Sequence, residues 1–184
     1  INVQNNDVIL TWVPTTDPSG NMFSSYEIYS SANSSQNFSP IGTVTAINSN
    51  SFVHLGVLTV SNPVQYYFIV SKATINANTS IHSDTLNTMF LNLVSVSTAP
   101  DLKIKYNDIH PSHLSTSKSF TIQKEYPIGT WKTIKTSTIL NYADTISLCK
   151  GDSIYYKIQL ADNIGCVSQS NIQGGIFVDT KAPD

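Results

Sequence analysis

The sequence predicts an all-β chain folded as two consecutive antiparallel β-sandwiches, over residues 1–93 and 94–184. Three observations carry this. Nowhere do apolar residues recur at i, i+3, i+4 and i+7 over a useful length, so no amphipathic helix is expected. Each half holds about seven short strand patterns, with turn signals every 8 to 12 residues or so. Finally, two stretches roughly ninety residues apart share one shape. Residues 63–83 (PVQYYFIVSKATINANTSIHS) and 153–170 (SIYYKIQLADNIGCVSQS) each read as a long apolar strand, a turn and a Ser-rich exit.

The elements follow in order. In the first half, residues 1–4 open with a short strand, and Asn5-Asn6-Asp7 is a turn signal. Residues 8–13 (VILTWV) are a strand with either Val8, Leu10 and Trp12 on one face or Ile9 and Val13 on the other as its apolar side. Residues 25–30 alternate cleanly, with Tyr26, Ile28 and Ser30 on one face and Glu27 and Tyr29 on the other. Strands over 38–44, 51–54 and 64–72 come next, and residues 84–93 (DTLNTMFLNL) close the unit. The second half repeats the order from residues 94–98. In LKIKY, Leu102, Ile104 and Tyr106 point inward and Lys103 and Lys105 outward. Strands over 119–126, 130–135, 139–142, 153–161 and 172–178 complete it, with Phe120 and Ile122 inward. The boundary near 92–94 leaves almost no linker, so limited relative motion of the two halves is expected.

Composition fits this reading. Charged residues make up 12% of the chain, about half the usual ~25%. Ser, Thr and Asn supply about a third of the residues, and there are nine Tyr. Hydroxylated, aromatic and β-branched residues favour strands, and so weak a charge with so many aromatics does not suit disorder. Net charge is −2, and all ten cations are Lys. Without the guanidinium fork that grips phosphate, a nucleic-acid partner is not expected. Lys118, Lys124, Lys132 and Lys135 read as solvated strand positions, interrupted by Glu125. No apolar run reaches the ~18 residues of a membrane span, so no membrane insertion is expected in this fragment. The chain opens inside a strand pattern at Ile1 and ends on DTKAPD, which reads as an inter-domain linker. It therefore reads as a piece of a longer protein.

Several motifs carry a resemblance: VILTW at 8–12, YEIY at 26–29, and Ile154, Tyr156, Ile158, Leu160, Asp162 and Gly165 along the second long strand. With these the two halves resemble tandem fibronectin type III-like domains of the immunoglobulin-like class. Tyr67 and Ile69 are the equivalents in the first half, although Tyr66, Phe68 and Val70 make the other face equally apolar. The sequence departs from the family at Ile154, where many members carry a corner Tyr, and at Tyr106, which stands where the first half has Trp12. The stretches DTLNTMFLNL, KEYPIGTW, ADTISLC and GCVSQSNIQGGIFVDTKAP also resemble repeats of large secreted or surface proteins, associated with gliding motility, of Bacteroidota. That resemblance implies export to the cell surface or the extracellular space. It implies no known activity.

The chemistry-bearing residues are few. Cys149 and Cys166 are the only cysteines, and an exported domain with one pair invites a disulfide. Against it, the strand 153–161 between them spans about 30 Å when extended, while a disulfide needs Cα atoms within about 7 Å. A bridge would require the second unit to depart from the standard sandwich there. Asp108, His110 and His113 share a loop but make a poor metal set, with Pro111 between the histidines, so no metal and no cofactor are expected. No Gly-x-Ser-x-Gly elbow, Cys–His proximity or Gly-rich phosphate loop appears, and only Glu27 and Glu125 are glutamates. No enzyme is expected. Tyr126 and Trp131, with Tyr29, are candidates for an aromatic platform under a sugar ring. Trp131 alternates with Lys132, so one of the two is expected to face the core. Asp84-Thr85-Leu86, Asp144-Thr145-Ile146 and Asp152-Ser153-Ile154 resemble the Bacteroidota O-glycosylation signal, with Thr85, Thr145 and Ser153 as acceptors.

These readings lead to one expectation and one alternative. The first is a non-enzymatic spacer or adhesive segment, its partners the neighbouring domains of its own parent chain. The alternative is a module that binds an extracellular glycan or protein, in an adhesin or polysaccharide-degrading setting.

Overall fold

The computed structural model describes residues 1–17, 22–32, 35–59, 62–74, 80–95, 101–109, 118–146, 152–162 and 165–176. Among them every regular element is a strand. The chain forms two compact units that change over at Thr88 and Met89.

The first unit is a two-sheet sandwich. One sheet has the order β1 (Asn2–Gln4), β2 (Asp7–Thr11), β5 (Ser51–His54). The other runs β4 (Ser39–Val44), β3 (Phe23–Ala32), β6 (Gln65–Ala73). Two short strands, β7 (Ser80–His82) and β8 (Leu86–Asn87), pair with successive parts of β6. The β1–β2 hairpin turns through Asn5, which takes φ 56°. Asn tolerates that left-handed conformation better than most residues with a side chain. The core joins Val3, Val8 and Leu10 from one sheet to Ile28 and Tyr67 from the other, with Trp12, Ile41 and Phe52 packed against them. Each fully buried aliphatic side chain contributes about 1.5–3 kcal/mol.

The second unit has the same plan. Strands β9 (Leu91–Ser95), β10 (Asp101–Tyr106) and β13 (Asn141–Thr145) form one sheet, with β10 central. Strands β12 (Trp131–Ser137), β11 (Phe120–Glu125) and β14 (Ser153–Ala161) form the other. Its fourth position is again divided, between β15 (Val167–Gln169) and β16 (Gln173–Ile176), both paired with β14. Leu102, Ile104 and Tyr106 of the one sheet and Phe120, Ile122, Ile154, Tyr156, Ile158 and Leu160 of the other are all buried. The Tyr106 and Phe120 rings lie 5.1 Å apart, edge to face. Both units are therefore antiparallel β-sandwiches, each pairing a three-strand sheet with a larger one.

Two irregularities recur and mark the units as copies of one plan. In β4 the register skips Ile41, between Gly42 opposite Ile28 and Pro40 opposite Tyr29. In β12 it skips Ile134, between Lys135 opposite Ile122 and Thr133 opposite Gln123. Each larger sheet thus carries a one-residue bulge in its edge strand, a device that twists an edge away from unwanted pairing. The second recurrence is a serine in the break of each divided strand. Ser83 N–H donates to Ile69 O, and Ile69 N–H donates to Ser83 Oγ. Ser170 and Ile158 repeat this arrangement. The match aligns Ile69 with Ile158, and hence Tyr67 with Tyr156, which is the register expected from sequence.

One expected element is corrected. Residues 84–93 are not a single closing strand. Leu86–Asn87 pairs with β6, whereas Leu91 already pairs with Tyr106 on β10. The physical reason lies at Thr88. Its N–H donates to Gln65 O and its Oγ1 accepts from Gln65 N–H, which ends the ladder to β6. The terminal segment read as a linker lies outside the described residues.

Candidate functional site

The outer face of the larger sheet in the first unit carries a group of aromatic and charged side chains. Tyr26 and Ile28 are buried, so alternation turns Glu27 and Tyr29 outward. Across from Tyr29 stands Phe68, its neighbour Tyr67 being in the core. The Tyr29 and Phe68 rings stack at 4.8 Å with an 8° interplanar angle. His82 lies against Phe68 at 5.6 Å, and Phe38 meets it edge-on at 4.7 Å. Beside the stack, Lys72 Nζ pairs with Glu27 Oε2 at 2.7 Å, and Tyr29 OH donates to the same oxygen at 2.6 Å. The Lys72 and Tyr29 hydrogen bonds hold the Glu27 carboxyl below its ordinary range, and Glu27 in turn raises both partners.

The outer face of the second unit's larger sheet is built differently. Trp131 sits opposite Glu125, which sits opposite Tyr155. Because Tyr156 is buried, this row faces outward. Lys157 Nζ lies 4.3 Å from the Trp131 ring centroid, a cation–π contact that covers one ring face. Neither Trp131 nor Lys132 enters the core. Lys132 is exposed and Trp131 is half-buried beneath Lys157, because β12 is an edge strand beyond the packed centre.

The aromatic platform expected from Tyr126, Trp131 and Tyr29 is not assembled on one sheet. Tyr29 belongs to the first unit, the other two to the second. Tyr126 is 37% exposed, follows β11, and donates its hydroxyl to Asp152 Oδ2 at 2.9 Å. Sequence reasoning missed Phe68, Phe38 and Lys157. In YYFIV every residue is apolar, so the outward member cannot be chosen locally. The usable signal was the clean alternation of Glu27 and Tyr29, which fixes the face of the strand beside it.

Asp144 Oδ2 accepts from Lys124 Nζ at 2.8 Å and from Tyr156 OH at 2.7 Å. Burial first, and the Asp144 bond second, push the Tyr156 phenol up. Of the motif aspartates, Asp144 and Asp152 thus hold contacts within the fold. Thr145 is exposed, Thr85 and Ser153 are half-buried, and Ile154 of the third motif is fully buried. His54 Nδ1 lies 3.0 Å from Tyr67 OH. Burial lowers the imidazole and raises the phenol. Tyr106, whose hydroxyl donates to Ile139 O, is pushed up to about 12 by burial. Cys166 is exposed, its N–H donating to Asp162 Oδ1 at the turn after β14. Cys149 lies outside the described residues, as do His110 and His113. Asp108 pairs with Lys118 at 2.9 Å. Among the described residues no three His, Cys, Asp or Glu side chains gather as a metal set.

No family model matches the chain, and no curated protein matches it. Among solved structures it is similar to the chicken CNTN1 FN1-FN3 domains, with 10% identity over 95% of this chain and 63% of that one, at a TM-score of 0.40. It is also similar to a tetra-tandem repeat in the extending region of a large adhesion protein. There the identity is 14% over 94% of this chain and 49% of that one, with a TM-score of 0.35. The chain spans less than two thirds of the first and about half of the second.

Proposed function

We propose that the chain is a non-enzymatic structural segment, a pair of repeated sandwiches that space, stiffen or display other parts of a large exported protein. The observation that supports this best is how its recognition-type side chains are used. Phe68 lies against Tyr29 and His82, Trp131 is covered on one face by Lys157, and Asp144 holds Lys124 and Tyr156. A sugar platform needs an open ring face, and these rings are turned toward their own neighbours. The repeated bulge and serine bridge add to the picture of one body used twice. The surface or extracellular setting, and the likeness to secreted repeat proteins of Bacteroidota, rest on the sequence motifs.

The alternative, a module for an extracellular glycan or protein, is favoured by the Tyr29–Phe68–His82–Phe38 group on one open face. A glycan array and pull-downs on cellulose and chitin separate the two. The structural reading predicts blank results. Saturable binding that is lost in Phe68→Ala or Trp131→Ala would replace it with the module reading.

A further inference from the structure

We propose that Asn171 is the mechanical clamp of the second unit, holding its first strand against its last under tension along the chain. This rests on the mechanical reading above. Among the described residues β9 is the first strand of the unit and β16 its last, so a pull along the backbone loads these two in opposite directions. Asn171 lies between β15 and β16, and one side chain reaches the backbone of β9. Its Oδ1 accepts from Leu91 N–H at 2.7 Å, and its Nδ2 donates to Leu91 O at 3.1 Å. Both residues are buried, Asn171 at 4% exposure and Leu91 at 0%. A carboxamide offers one acceptor and donors on adjacent atoms, so it completes both peptide groups of Leu91 as a paired strand would. β9 is bonded to β10 as well, with Leu91 opposite Tyr106. The clamp is held from behind, since Ser170 Oγ donates to Asn171 O at 2.7 Å and accepts from Ile158 N–H. In the first unit the residue after the bridging serine is Asp84. A carboxyl side chain has no N–H to donate, so Asp84 does not supply the same two-way amide grip.

The test pulls single molecules of the whole chain by its ends at constant load. It compares wild type with Asn171→Ala, Asn171→Asp and a control, Ile122→Val, whose side chain is buried in the core of the same unit. Wild type should give two unfolding steps. Asn171→Ala and Asn171→Asp should speed one of them by about ten- to a hundredfold, as expected for buried peptide groups left without partners. The other step should keep its rate, and Ile122→Val should change neither by more than about threefold once the variants are compared at equal chemical stability. Asn171→Asp keeps the acceptor and serves if Asn171→Ala does not fold. The proposal is overturned if neither Asn171 variant exceeds the control. A wild type that yields without resistance contradicts the mechanical reading, whereas a resistant wild type matched by the Asn171 variants contradicts the clamp alone.

Discussion

Ser170 and Ile158 exchange two hydrogen bonds of different kinds. Ser170 N–H donates to Ile158 O at 2.9 Å, as in any sheet, and Ile158 N–H donates to Ser170 Oγ at 2.9 Å. A side chain therefore closes the ladder where the strand is broken between β15 and β16. Ser83 and Ile69 do the same in the first unit. Ser170 is fully buried, whereas Ser83 is exposed. Ser170→Ala should cost about 1–3 kcal/mol, because the Ile158 N–H is left without a partner away from water. Ser83→Ala should cost less, about 0.5–1 kcal/mol, since water can replace the hydroxyl. Urea unfolding of both variants checks the order. Equal losses would show that the buried serine has no special weight.

Gly174 is required by space. A Cβ there would lie 2.0 Å from Ile154 O and 2.6 Å from Tyr155 Cα, both backbone atoms of the neighbouring β14. Backbone gives way far less easily than a side-chain tip. Gly174→Ala should therefore lower stability by about 1–3 kcal/mol and loosen β16 from β14. The check is thermal unfolding together with amide exchange at Ile154 and Tyr156, which should lose protection.

Burial lowers the His54 imidazole below its ordinary 6.5, so the unfolded chain takes up this proton more readily than the folded one. The stabilisation from the neutral, half-buried ring is complete above pH ~6.5 and is lost as pH falls from there toward the depressed value. Wild type should lose urea resistance between about pH 7.5 and pH 5.5, and His54→Gln should lose less over the same window. Parallel pH profiles of the two proteins would remove His54 as the cause.

Lys157 covers a face of Trp131. Lys157→Ala should expose that ring to water, shifting its fluorescence to the red, and cost no more than about 1 kcal/mol, as for other exposed cation–π pairs. On the structural reading the uncovered ring still binds no cellulose or chitin. Binding gained in this variant would mean that the sheet holds a platform which Lys157 masks.

The sequence shows the strands wherever the two faces differ. LKIKY alternates lysine with apolar residues, and Leu102, Ile104 and Tyr106 are buried as read. The strand at Ser153–Ala161 has the bounds that its pattern indicates. Legibility fails where both faces are apolar, as in YYFIV, because the outward role of Phe68 depends on pairing with Tyr29 across the sheet. It fails again at DTLNTMFLNL, where no Gly or Pro marks the change of unit at Thr88. The bulges at Ile41 and Ile134 depend on the partner strand and leave no local mark. The ring stack and the Lys157 contact are likewise products of register, so the sequence named aromatic candidates without grouping them.

The central claim is that this pair of sandwiches works as a mechanical body. Stretching the wild-type chain by its ends tests it most directly. The account predicts two discrete unfolding steps, each lengthening the chain by roughly 300 Å, as the reach of an extended unit of this size requires. Smooth extension without steps, at loads where an unfolded chain is already drawn out, would contradict it.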